Sequence, residues 1–272
     1  DTFQVIRNYF RVRTEHKDMF EDLLPSHILF DEVIRKHKLI IIPTECDAQG
    51  RPIGILKVGA WNPGICTLQE FFRAAIVALE YHLLEERLQI TGIVGVVDAG
   101  GLSLAHVRHY TPFEIRKLIK LAQGEGAEGR EYIYLDKKRR RAEYDRARRN
   151  KAWPKGRRNT AVIEDKPRRL HLKHRKTQDC YPLRIRGIYI TNHPPIFELF
   201  YNVAKLFLSR KLAKRDRFFG RRYKELHEVL PLEGLPQDYG GSMNSFDCNA
   251  FEKALRSKQD FFVKLSHCGY KK

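Results

Sequence analysis

Ser103 and His106, three residues apart in GLSLAHVRH, are the nearest approach this 272-residue chain makes to a nucleophile beside a base. Acyl transfer also needs a third group to orient the imidazole and donors for an oxyanion. Neither accompanies the pair in sequence, so His106 is expected to brace its own helix rather than to move protons. The other familiar routes to catalysis are missing as well: there is no G-x-x-x-x-G-K-[ST] loop, no G-x-S-x-G elbow, no H-E-x-x-H and no G-x-G-x-x-G after a strand. The 11 histidines never cluster with carboxylates at ligand spacing. Cysteines 46, 66, 180, 248 and 268 are odd in number, scattered and never arranged as CxxC. Zinc or a disulfide framework requires closer, paired spacing. Free thiols, no metal, no cofactor and no catalytic residue are therefore expected.

Two other residue classes are in excess. The first is basic: net charge is +18, and between Gly124 and Gln178 stand 19 Lys and Arg against 8 Asp and Glu, so most of the surplus is local. Such a run can attract nucleic acid or an anionic membrane. The second is apolar and aromatic. Phe71, Phe72, Ile76 and Leu79 share one helical stretch, and Ile196, Phe197, Phe200, Tyr201, Val203 and Phe207 share another. Side chains of this kind either fill a solid core or line a cavity. The second stretch is apolar nearly all round and runs straight into SRKLAKRDR. That pairing of a greasy helix with cations suits contact with an anionic membrane surface.

The elements that must position these groups follow from periodicity. FQVIRNYFRVR carries a helical stripe, and Ser26 can cap a helix over 27–37. KLIIIP, a DAQGRP turn and IGILKVG read as strand, turn, strand. Thr67 caps a long helix, LQEFFRAAIVALEYHLLEERL, with apolar residues at 71, 72, 75, 76, 79 and 83. GIVGVVD has the continuous apolar character of a central strand covered on both faces. Thr111 and Pro112 open a further helix over 111–123. After a break, DCYPLRIRGIYITN reads as a strand, PPIFELFYNVAKLFLS as an apolar helix, and roughly 247–266 as a final helix. The alternation predicts an α/β fold with a mostly parallel central sheet flanked by helices. No apolar run approaches the roughly 20 residues that span a bilayer. The opening DTFQVIRNYF, without an initiator methionine or a secretory layout, reads as part of a longer cytosolic protein.

The succession ILKVGAWNP, EFFRAAIVALEYHLLEE, ITGIVGVVDAGGLSLAHVRHYTP, YPLRIRGIYITNHPPIFELFYNVAKLFLSRKLAKR and YKELHEVLPLEGLPQDYGG resembles the CRAL-TRIO lipid-binding domain family. Within it, the chain is most similar to the subgroup of alpha-tocopherol transfer protein, clavesin and cellular retinaldehyde-binding protein. The resemblance implies a non-enzymatic, monomeric lipid-transfer protein with a mobile gate helix over an apolar cavity. Its ligand would be a hydrophobic small molecule of tocopherol, retinoid or phospholipid type, held by apolar burial at roughly 25 cal/mol per Å². By the same resemblance the lining comprises Phe72, Ala75, Ile76, Leu79, Ile93, Val97, Leu104, Leu118, Leu121, Tyr181, Ile188 and Ile190. The gate adds Phe197, Phe200, Val203 and Phe207. Docking on phosphatidylinositol bisphosphate membranes would use Arg184, Arg186, Lys211 and Arg215. A cytoplasmic protein, peripheral on endosomal or trans-Golgi membranes, is implied. The chain departs from the pattern at Ala75 and Leu79, where the tocopherol carrier offers serine hydroxyls, and at Asp216, where the family tends to be apolar.

Joining Gln123 to Asp179 gives KLIKLAQDCYPLRIRG, a continuous helix, turn and strand, so residues 124–178 read as an insertion. Its length exceeds ordinary loops and its composition predicts disorder, with a helical stretch near 130–150. An unspliced intron is one origin, and a genuine basic loop that strengthens membrane attachment is another. The expected organisation is 1–24 as the remnant of an N-terminal helical domain, 25–123 with 179–246 as the lipid-binding domain, and 247–272 as a C-terminal helix and tail. The alternative reading is a nucleic-acid-binding protein acting through 130–176, with affinity falling steeply with salt.

Overall fold

The computed structural model describes residues 2–123, 183–221, 223–244 and 246–269. The basic run opening at Gly124, with the expected insertion, its helical stretch and the alternative nucleic-acid segment, lies outside the described residues, as do Cys180 and Tyr181.

Five strands form one sheet in the order of the chain: β1 (Ile40–Ile41), β2 (Ile53–Lys57), β3 (Ile93–Asp98), β4 (Ile185–Thr191) and β5 (Asp216–Gly220). β1 is antiparallel to β2, and the remaining pairs are parallel. Parallel strands laid down in sequential order, each joined by a right-handed crossover, place every connecting helix on the same face. That is what the packing shows. α3 (Leu68–His82), α6 (Pro112–Gln123) and α7 (Phe197–Phe207) supply Phe71, Ala74, Val77, Ile115, Leu121 and Phe200 to one core cluster. The opposite face has its own core: Val94, Val96 and Tyr189 from the sheet meet Leu226 of α9 (Tyr223–His227), Leu230, Leu235 and Tyr239.

Before the sheet, α1 (Thr2–Glu15) and α2 (Lys17–Phe20) contribute Val12, Met19 and Phe20 to the helix-side core. Arg13 and Glu80, both buried, form an ion pair of 2.6 Å between α1 and α3, and Tyr9 donates to the same Glu80 oxygen at 2.8 Å. Burial and the carboxylate together push the Tyr9 hydroxyl far above its ordinary range. Lys117 of α6 reaches Asp18 at 2.9 Å.

Several sequence expectations are corrected in detail. The helix predicted over 27–37 is a 3-10 turn, Pro25–His27, followed by a π-helical segment, Asp31–Lys36. The long helix stops at His82 and restarts as α4 (Glu86–Thr91), with Gln89 donating to the Leu83 carbonyl across the break. Its start is as predicted: Thr67 and Glu70 form a reciprocal capping box. The final helix is two, α10 (Cys248–Arg256) and α11 (Gln259–Ser266). β5 was not predicted, because DRFFG lacks the alternation of a half-buried strand and follows a cationic run.

Candidate functional site

Ser103 and His106 stand at α5 (Leu104–Val107), and their geometry is that of a brace. His106 Nε2 lies 2.9 Å from the Trp61 carbonyl, which can only accept, so Nε2 carries the proton. Nδ1 then accepts from the Ser103 amide and hydroxyl, each at 3.1 Å. Both ring nitrogens are occupied, and the imidazole is buried between Trp61 and Tyr110.

The sheet face beneath α3, α6 and α7 is a different matter. Along β3, Val94 and Val96 on the far face are fully buried, whereas Ile93, Gly95 and Val97 on the helix side retain accessible surface. A sheet packed tightly on both faces would bury both sets. The register explains the site's shape: Gly54, Gly95, Ile188 and Asp216 stand side by side across β2, β3, β4 and β5, with Val97, Ile190 and Phe218 in the next row. A Cβ placed on Gly95 would meet no atom within 4 Å among the described residues. Gly95 therefore faces open space on the helix side of the sheet.

Most of the residues expected to line a cavity lie on this helix side of the sheet. Phe72, Ala75, Ile76 and Leu79 come from α3, Leu121 from α6, and Phe197, Phe200, Val203 and Phe207 from α7, all packed in the helix-side cluster with Ile93. Val97, Leu118 and Ile188 are half-buried, and Ile190 is buried. Leu104 does not line it. The turn of α5 points Leu102 and His106 inward, which sends Leu104 outward to 75% exposure. Tyr181 lies outside the described residues.

Two features of this wall escaped the sequence expectation. Gly95 gave no periodic signal of its own. Asp216 stood out only as a departure from an apolar position. Its side chain shares the face of Ile188, and its Oδ2 accepts from Tyr201 of α7 at 2.9 Å, while Oδ1 is buried with no hydrogen-bond partner among the described residues. Burial raises the Asp216 carboxyl above its ordinary value, and burial with the carboxylate nearby pushes the Tyr201 hydroxyl up to about 12. Phe218 closes the edge against Tyr201, ring centroids 4.8 Å apart.

Three of the four predicted basic residues meet beside α7. Arg184, Lys211 of α8 (Arg210–Ala213) and Arg215 line one small cleft together with Ala122, Leu183, Ser209 and Leu212. The Arg215 guanidinium also donates to the Ile185 carbonyl. Arg186 does not line the cleft: its Nε donates to the Thr91 carbonyl at 3.0 Å, at the end of α4. The two arginines of PLRIRG lie on one face of an ideal strand, but Arg184 precedes β4 and only Arg186 is inside it.

With this geometry, an open apolar face under crossover helices and a basic cleft beside the last of them, the chain belongs to the CRAL/TRIO domain family, whose model matches residues 35–135 and 175–241. It is similar to alpha-tocopherol transfer protein-like of Homo sapiens, 25% identical over 261 residues, covering 96% of this chain and 59% of that protein. Clavesin-2 of Mus musculus is 22% identical over 258 residues, covering 94% and 61%. The chain thus spans about three fifths of the length of these relatives. The crystal structure of Sfh5 shares the fold, with a TM-score of 0.52 at 14% identity over 96% of this chain and 75% of that one. Among the described residues no helix is long and apolar enough to cross a membrane.

Proposed function

We propose that this chain is a lipid-binding and transfer domain that holds a hydrophobic small molecule between its sheet and α3, α6 and α7. One observation carries the reading: the central strand's helix-side face keeps open space above Gly95 while the opposite face is sealed. Names of relatives that include tocopherol transfer point the same way. In this reading α7 is the gate. Arg184, Lys211 and Arg215 form the docking site for a phosphoinositide headgroup, since guanidinium forks pair bidentately with phosphate. Arg186 does not line that cleft, and its Nε donates to the Thr91 carbonyl.

The same reading takes residues 1–24 as the remnant of a helical domain and 124–178 as an insertion in the lipid-binding domain. Support for the insertion comes from the family match, which stops at 135 and resumes at 175.

Gly95→Leu tests the cavity directly. The added side chain enters empty space, so the variant should melt within a few degrees of the wild type, yet uptake of a fluorescent lipid should fall at least tenfold because the ligand's volume is occupied. Unchanged uptake with an unchanged melting temperature would place the ligand elsewhere.

A further inference from the structure

We infer that Asp216 is the polar anchor of the cavity and selects a lipid carrying a hydroxyl group. The inference rests on the lipid-binding reading above and sharpens it from an apolar molecule to a lipid alcohol.

Asp216 is a carboxylate on a wall that is otherwise glycine, isoleucine, valine and phenylalanine. It occupies the same cross-strand row as Gly95 and Ile188. Adjacent strands are about 4.8 Å apart, which puts Asp216 about 10 Å from the open space above Gly95. A ligand lying across the sheet with its chain over Gly95 would therefore bring one end to the carboxylate. From α7 the Tyr201 hydroxyl donates to Oδ2. Oδ1 is buried and unpaired among the described residues. Buried polar atoms are nearly always hydrogen-bonded, and an exception signals a missing partner. Asp side chains turn readily about their Cβ–Cγ bond, so Tyr201 can keep one oxygen while the other accepts from a ligand.

The partner is a donor, because a carboxylate only accepts. It is neutral, because a cation is already present: Lys205 is the positive charge that acts on Asp216, its ammonium resting over the Tyr201 ring at 4.6 Å. A second ammonium would meet that repulsion, whereas a hydroxyl would not. The raised affinity of Asp216 for its proton agrees with a site that is dry and short of donors.

The test uses the full chain and three octadecyl probes with the same fluorophore, ending in a hydroxyl, a methyl ether or an amine. The alcohol should bind at least tenfold more tightly than the methyl ether, which cannot donate. Asp216→Leu should bring these two within about twofold by weakening the alcohol, with methyl ether affinity retained as the measure of an intact cavity. Asp216→Asn keeps an acceptor oxygen and should preserve part of the preference. Equal binding of alcohol and ether by the wild type overturns the anchor and leaves the lipid-binding reading standing. An amine bound more tightly than the alcohol overturns the choice of hydroxyl. No uptake of any probe removes the lipid-binding reading and this inference with it.

Discussion

At the scale of single residues, the chemistry that the sequence offered most openly is structural. His106 spends both nitrogens on the backbone and hydroxyl groups around it, tying the β3–α5 turn to the loop carrying Trp61. The turn tolerates this closeness because Gly59 and Gly101 face one another: a Cβ on Gly59 would come within 2.4 Å of the Gly100 carbonyl oxygen. His106→Ala leaves a buried carbonyl and an amide unpaired and should cost about 2–3 kcal/mol in urea unfolding. Ser103→Ala removes only the exposed partner and should cost under about 1 kcal/mol. A comparable loss from both substitutions would contradict the bracing role. Trp61 donates to the Cys66 carbonyl at 3.1 Å, a contact that no local pattern in the sequence encodes.

At the scale of elements, α7 and β5 are joined by one hydrogen bond of unusual setting. Burial raises the Asp216 carboxyl above its ordinary 3.8, so the folded state holds that proton more tightly than the unfolded chain does. Stability from this group is therefore complete below about 3.8 and is lost as pH climbs through the raised folded value. Asp216→Asn keeps an acceptor for Tyr201 without the buried charge. It should melt roughly 2–4 °C higher than the wild type at pH 7, with the gap closing as pH falls toward 3.8. A gap that persists at low pH would show that the carboxyl titrates no differently in the two states. The helix itself was readable from its apolar stripe, and so was the Thr67 cap of α3, though not its reciprocal bond with Glu70. β5 was not, because only its pairing with β4 makes a strand of DRFFG.

At the scale of the whole molecule, strand order decides what faces what. Sequential parallel strands gather α3, α6 and α7 over one face and leave the other to α9 and the segment reaching Tyr239. The same wrapping carries the end of α6, the chain before β4 and α8 to one cleft, where Arg184, Lys211 and Arg215 meet. Each basic residue near an anionic membrane surface contributes about 1 kcal/mol. Arg184→Ala with Lys211→Ala should then weaken binding to vesicles containing phosphatidylinositol bisphosphate roughly 30-fold in a flotation assay, with probe uptake into the cavity unchanged. Arg186→Ala should leave vesicle binding within about twofold. Unaltered vesicle binding by the double variant would remove the headgroup site from the proposal.

The sequence by itself determined the α/β class, the identity of the crossover helices and the family resemblance, because helix and strand periods are written within ten or fifteen neighbouring residues. It also named many of the apolar side chains that pack on the helix side of the sheet. Tertiary structure alone decided that Leu104 turns outward, that Arg186 donates to the Thr91 carbonyl, that Gly95 looks onto empty space and that Asp216 accepts from Tyr201 with its other oxygen unpaired among the described residues. Each of these depends on the register between strands dozens of residues apart and on which helix the crossover lays above them. No local pattern carries that information, since it is fixed by the pairing of the sheet as a whole.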